Sequence, residues 1–164
     1  MIMMLVYIVM ASQFESFKHP FIIMMAIPFA LSGVIAALLI TGENLDMVGM
    51  LGVILLIGIV VKNGIVLVDY INLMRDRGYE LSEAIALSGQ SRLRPVMMTA
   101  LTTALGMLPM ALSRSEGSEL WNTMGYVVIG GLLVSTFVTL IVVPVLYGIM
   151  SKGSEREKEE EVQI

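Results

Sequence analysis

Gly58-Ile59-Val60-Val61-Lys62-Asn63-Gly64-Ile65-Val66-Leu67-Val68-Asp69 places a charged amine inside an apolar run that begins at Met47. From Met47 to Val68 the run matches the roughly 20 apolar residues that cross a hydrocarbon core. We read it as a membrane helix in which Lys62 follows fifteen helical residues, Met47 to Val61. Burying a lysine there costs at least ~2.5–3.5 kcal/mol on insertion scales. Snorkelling relieves part of that cost, but the side chain would have to climb from about 10 Å below the end of its helix. A lysine at this depth is expected to face the interior of a bundle and to have a function.

Reading outward from this helix, the segments Pro20 to Thr41, Pro95 to Leu112 and Leu120 to Met150 are also long enough to cross a bilayer. The last exceeds one span and is expected to run past the membrane or to bend near Pro144. The start, Met1 to Ala11, is apolar and lacks Lys and Arg, so it has no signal-peptide n-region. It covers only half of a core of about 30 Å and reads as the end of a spanning helix; a short helix at the interface is the alternative. The expected fold is all-α, a polytopic membrane bundle of one partial and four complete transmembrane helices over residues 1–150. A charged cytoplasmic tail, 151–164, is expected to be disordered.

Composition agrees with a membrane protein. The 164 residues are 57% hydrophobic and 15% charged, against the roughly 25% charged of soluble domains. The net charge of −4 reflects the tail acids Glu155, Glu157, Glu159, Glu160 and Glu161 and gives no sign of nucleic acid as a partner. With no Cys there are no disulfides or thiolate metal sites. Eight of the ten basic residues, namely Lys18, Arg75, Arg77, Arg92, Arg94, Lys152, Arg156 and Lys158, fall on one side if the loops alternate. By the positive-inside rule that side is the cytoplasm, which puts the C-terminus there too. Leu81 to Leu87 reads as a separate short amphipathic helix at that surface.

Gly58 lies one turn before Lys62 and Asp69 two turns after it, on one helical face. The next helix carries a matching stripe of Arg92, Thr99, Thr103 and Gly106. Because the two helices run in opposite directions, Lys62 and Thr99 should lie at similar depth, and a threonine hydroxyl can accept from an ammonium. Asp69 and Arg92 should meet near the cytoplasmic surface as an ordinary ion pair. No deeply buried acid occurs in the complete spans, so the carboxylate that a proton-coupled lysine needs must come from elsewhere. Ala26, Ala30, Gly33 and Ala37 share one face of their helix, a pattern that lets a neighbouring helix approach closely.

Phe14-Glu15-Ser16-Phe17-Lys18-His19-Pro20-Phe21, followed by Pro28, resembles the cytoplasmic turn between the eighth and ninth transmembrane helices of resistance-nodulation-division efflux pumps. The run Gly58 to Asp69 resembles their tenth helix. Arg92-Leu93-Arg94-Pro95-Val96-Met97-Met98-Thr99 and Gly106-Met107-Leu108-Pro109 resemble the two ends of the eleventh. Taken together, these motifs cover Tyr7 to Met150 in the family's order, matching helices 8 to 12. The resemblance implies an inner-membrane antiporter that exchanges protons for drugs or amphiphiles, homotrimeric in its full form and working with a periplasmic adaptor and an outer-membrane channel. It further implies that Lys62, Arg92 and Thr99 belong to a proton relay, with Asp69 and Asn63 supporting it, and that the relay's two aspartates lie outside this chain. The Lys62–Asn63 pair favours the drug-efflux branch over the metal-ion branch. Protons are the coupling ion, and no cofactor or metal is implied.

On this reading the chain is a pump fragment, inactive alone, embedded in membrane lipid among the remaining helices and the porter domain. A second possibility is a non-transporting helix module that associates with a full-length pump. An enzyme is not expected, since the lone His19 sits in a turn and no nucleophile–base set or metal-ligand spacing occurs.

Overall fold

The computed structural model describes the backbone of residues 2–115 and 117–162, and the side chains of residues 3–115, 117–118 and 120–151. Six helices follow one another: α1 (Ile2–Phe14), α2 (Lys18–Met24), α3 (Ala26–Thr41), α4 (Met47–Asp76), α5 (Leu81–Ala111) and α6 (Glu119–Val162). Among the described residues there is no strand.

Each boundary has a local cause. The expected single helix from Pro20 to Thr41 is interrupted at Met25. Pro28 lacks the N–H that would bond the Met24 carbonyl, and its ring presses on that carbonyl. The two pieces still form one span, Lys18–Thr41. Gly42 ends α3 in the left-handed region, at φ 72°, where its N–H donates to the Leu38 carbonyl at 2.9 Å; glycine adopts that conformation without a Cβ penalty. Asp46 caps α4, its carboxylate accepting from the Gly49 N–H at 2.7 Å.

Three spans are long and apolar enough to cross a membrane: Lys18–Thr41, Met47–Asp76 and Leu120–Ser151. The fourth expected span, Pro95 to Leu112, is the C-terminal part of the 31-residue α5. It is less apolar than the others because Thr99, Thr102, Thr103 and Gly106 dilute it. Leu81 to Leu87 is not a separate surface helix, as the sequence had suggested, but the first two turns of α5. The helix runs on through Pro95, whose fixed φ near −65° is itself helical. Similarly, α6 continues through Pro144 to Val162. The tail side chains from Lys152 onward lie outside the described residues, and with them the expectation of a disordered tail.

The central element is α6, which packs on α2, α3, α4 and α5. It approaches α3 closely along the small-residue stripe. Ala26 and Ala30 are fully buried there. A Cβ added at Gly33 would lie 2.7 Å from the Val134 Cβ and 2.8 Å from the Gly130 carbonyl oxygen. Only bare backbones come this close, and the resulting van der Waals contact holds helices together where exclusion from lipid cannot. Ile22, Ile23, Leu56, Val60, Leu67, Ile71 and Leu132 complete a continuous core.

Outside that core the spans remain apolar. Only 39% of the apolar stretch of the first span and 44% of the other two is buried, so Leu39, Ile40, Leu51, Phe137 and Ile141 stand exposed. In water this surface would drive aggregation. Such a surface calls for an apolar surrounding, lipid tails or further helices, and the protein is a multi-pass membrane protein.

Candidate functional site

Helix α4 has two unlike faces. Leu56, Val60, Asn63, Gly64, Leu67, Ile71 and Met74 are buried in the bundle. Leu51, Leu55, Gly58, Lys62, Asp69 and Leu73 are exposed, stepping by three, four or seven residues along the opposite side. Among the described residues no helix covers that stripe, and a Cβ built on Gly58 would find nothing within 4 Å. Lys62 therefore sits on an open face near the middle of α4 and makes no hydrogen bond or ion pair with a described residue. Its neighbour Asn63 points into the packed side, 9% exposed, and belongs to the bundle core rather than to the open face.

The adjoining helix α5 is similarly divided. Ala84, Ser88, Val96, Ala100 and Ala104 face the core, whereas Thr99, Thr102 and Gly106 are exposed and Thr103 is half-buried. Gly106 also has open space where a Cβ would be. The Thr99 hydroxyl does not reach Lys62. It donates instead to the Pro95 carbonyl of its own helix at 2.9 Å, the back-bonding usual for threonine in a helix. The structure thus puts lysine and threonine on uncovered faces of neighbouring helices without joining them directly.

Arg92 differs from the sequence expectation. No ion pair with Asp69 forms; the guanidinium lies 4.5 Å from the centroid of the Tyr70 ring. Consecutive helical residues are about 100° apart, so Asp69 turns to the exposed face while Tyr70 turns toward α5. Such a cation–π contact contributes about 0.5–2 kcal/mol, depending on desolvation. The Arg92 Nε is enclosed and has no hydrogen-bond partner, while the half-buried side chain remains partly accessible. Tyr70 had no role in the sequence reading. Its signal was a tyrosine at the basic end of a membrane helix, where the amphipathic ring is enriched.

Together these side chains form half of a polar seam: an ammonium, a guanidinium and several hydroxyls on two adjacent helices, flanked by glycines that leave room for another helix. Among the described residues no acid lies beside Lys62 in this seam.

Residues 1–151 match the AcrB/AcrD/AcrF family. The chain is 39% identical over 153 residues to the cobalt-zinc-cadmium resistance protein CzcA of Cupriavidus metallidurans. It is equally similar to the cation efflux system protein CzcA of an Alcaligenes species. In each case the alignment covers 93% of this chain but 14% of the relative. Two crystal forms of a heavy metal efflux pump superpose with TM-scores of 0.82 and 0.80 at 32% identity, covering 92% of this chain and 15% of theirs. The chain thus spans about one-seventh of the length of the curated relatives it matches.

Proposed function

The chain belongs to the AcrB/AcrD/AcrF family of resistance-nodulation-division efflux permeases, and we propose that it forms one half of the proton pathway of an exporter driven by proton entry. The observation that supports this most directly is Lys62, near the middle of an apolar span on a helix face that the bundle leaves open. A charge in that position is tolerable only if a counter-charge or water reaches it. A further helix carrying a carboxylate at the depth of Lys62 would supply the charge and cover the glycine-lined stripe.

The residues then divide the work. Lys62 holds the facing acid ionised by its positive charge. When the lysine moves away, burial favours the neutral acid and a proton is bound. Thr99 lies on the same open seam with a hydroxyl that can carry a bound water. Arg92, fixed by Tyr70, sets a positive potential near the basic end of the seam. Asp69 stands at that end as an exposed carboxylate, and Asn63 keeps the helix seated in its core. In this reading the basic loops and the C-terminus are cytoplasmic. The working pump is a homotrimer in the inner membrane, and a periplasmic adaptor and an outer-membrane channel are its partners.

Two cargo classes have support. The names of the relatives favour metal cations. The Lys62–Asn63 pair favours drugs and other amphiphiles, as the resemblance of the tenth helix implies. Either cargo would be chosen outside the membrane seam, and both use the same coupling step. Efflux assays on cells expressing the assembled pump, with Zn²⁺ and with ethidium, separate the two. Loss of export of either cargo in Lys62→Ala at matched expression supports the coupling role; near-normal export places the proton path elsewhere.

The alternative, a non-transporting module that binds a full-length relative, uses the same open face. It predicts that the 164-residue chain lowers transport when co-expressed with such a pump, and that Gly58→Leu relieves the inhibition.

A further inference from the structure

At the basic end of the bundle three chain segments that are remote in sequence enclose a cavity of about 480 Å³. It lies between the α1–α2 turn, the C-terminal turn of α4 and the end of the membrane span in α6. From the turn comes Ser16, from the start of α2 come Lys18 and His19, and from α4 come Asn72, Arg75 and Asp76. The Lys62 seam uses none of these residues. A volume of this size lies in the range of small-molecule sites.

The walls are built rather than incidental. His19 stacks on Tyr147 with ring centroids 5.5 Å apart and planes 15° from parallel, and its edge meets Phe14 at 5.6 Å. The Tyr147 hydroxyl donates to the Asn72 side-chain oxygen at 2.5 Å, and Arg75 lies against the same hydroxyl. Tyr147 is 3% exposed and so fixed in place. The His19 Nδ1 is enclosed and has no hydrogen-bond partner among the described residues.

The chemistry of the lining selects an anion. Among the described lining residues Lys18 and Arg75 are basic and Asp76 is acidic, and Ser16 and Ser151 border the same space, the Ser151 hydroxyl engaged with Tyr147. Two apolar residues, Ile22 and Met150, complete the lining. Both belong to membrane spans; Ile22 is buried in the core, while Met150 is half-buried at the end of its span. Polar donors on one side and apolar surface on the other fit an amphiphile with an anionic head. Basic pockets between membrane helices are suited to phospholipid head groups.

We propose that this cavity binds a phosphate group, contributed by the head of an anionic phospholipid in the adjoining leaflet. Lys18 and Arg75 balance the phosphate charge, Ser16 offers a hydroxyl donor, and Met150 borders the glycerol and the first acyl carbons. The bound lipid bridges the α1–α2 turn to the ends of α4 and α6.

The test uses the purified 164-residue chain in neutral detergent, with lipid adducts counted by native mass spectrometry. Three arms offer phosphatidylglycerol, phosphatidylcholine and phosphatidylglycerol with excess inorganic phosphate. The expected result is retention of phosphatidylglycerol over phosphatidylcholine, with affinity lowered about tenfold by Lys18→Glu, which reverses one charge beside the head group. Lys18 is exposed, and Lys18→Gln serves as a milder second variant. Arg114→Glu, which reverses a basic residue in the opposite loop, should leave retention unchanged. Persistence of the adduct in excess inorganic phosphate identifies the lipid as the source; its displacement identifies a free phosphate as the ligand of the same site. Equal retention of both lipids, or a Lys18→Glu variant that binds like the parent, overturns the proposal.

Discussion

Replacing Gly33 by alanine puts a Cβ 2.7 Å from the Val134 Cβ and 2.8 Å from the Gly130 carbonyl oxygen. Carbon contacts are optimal at about 3.5–4.0 Å, so α3 and α6 must part by roughly 1 Å or distort. Val134 is β-branched and stiff at χ1, and the Gly130 oxygen is backbone, so neither yields easily. Overpacking of this kind costs about 1–3 kcal/mol. Against it stands the helical preference of alanine over glycine, about 0.5–1 kcal/mol. The expected net effect is a loss on the order of 1 kcal/mol, a roughly fivefold fall in the folded-to-unfolded ratio. Gly58 provides the internal control. Its Cβ would meet nothing within 4 Å, so Gly58→Ala should gain the propensity term alone, about 0.5–1 kcal/mol. The two variants should therefore differ by about 2 kcal/mol with opposite signs. Reversible unfolding in mixed micelles of dodecyl maltoside and dodecyl sulfate, followed by far-ultraviolet circular dichroism, measures the difference. If Gly33→Ala is as stable as Gly58→Ala, the α3–α6 approach is not the close backbone contact described, and the packing argument fails.

Other expectations follow from the same geometry. Lys62→Leu in the 164-residue chain should leave stability within about 0.5 kcal/mol of the parent or raise it, because no described partner is lost and a charge leaves the apolar zone; a strong destabilisation would reveal a structural role for the ammonium. Tyr147→Phe removes the hydrogen bond to Asn72 and should cost about 0.5–1.5 kcal/mol in the same assay; no change would show that this bond is not formed. Tyr70→Leu should weaken the seating of Arg92 by about 0.5–2 kcal/mol, and a double-mutant cycle with Arg92→Met that gives no coupling would contradict the contact. Cysteines placed at Arg77 and Ser115 should label from opposite sides of the membrane, with Ser115 reached from outside the cell; external labelling at Arg77 alone would reverse the topology.

Much of this was legible in the residues because its causes are local. The apolar runs are long because a bilayer is about 30 Å thick, and that requirement is met one helix at a time. The face shared by Gly58, Lys62 and Asp69 follows from helical periodicity alone, as does the small-residue face of α3, which the structure packs on α6. What the sequence left undecided depends on how one helix is rotated and tilted against another, which is set by contacts between distant residues. Arg92 illustrates this: Asp69 and Tyr70 are adjacent, and the choice between them rests on an angle of about 100° about the axis of α4, which the packing of α5 decides in favour of Tyr70. The continuity of α5 through Pro95 is a second case, since a proline that stops a helix in isolation is carried through when the flanking turns are held by tertiary packing. The cavity around His19 is a third. Its lining is drawn from residues as far apart as Ser16 and Ser151, and only folding brings Lys18, Arg75 and Tyr147 to the same end of the bundle. Sequence alone determined that these helices cross a membrane and where the charge lies along them; the tertiary structure decided which faces the bundle closes and which it leaves open, because closure is a property of pairs of helices rather than of any one.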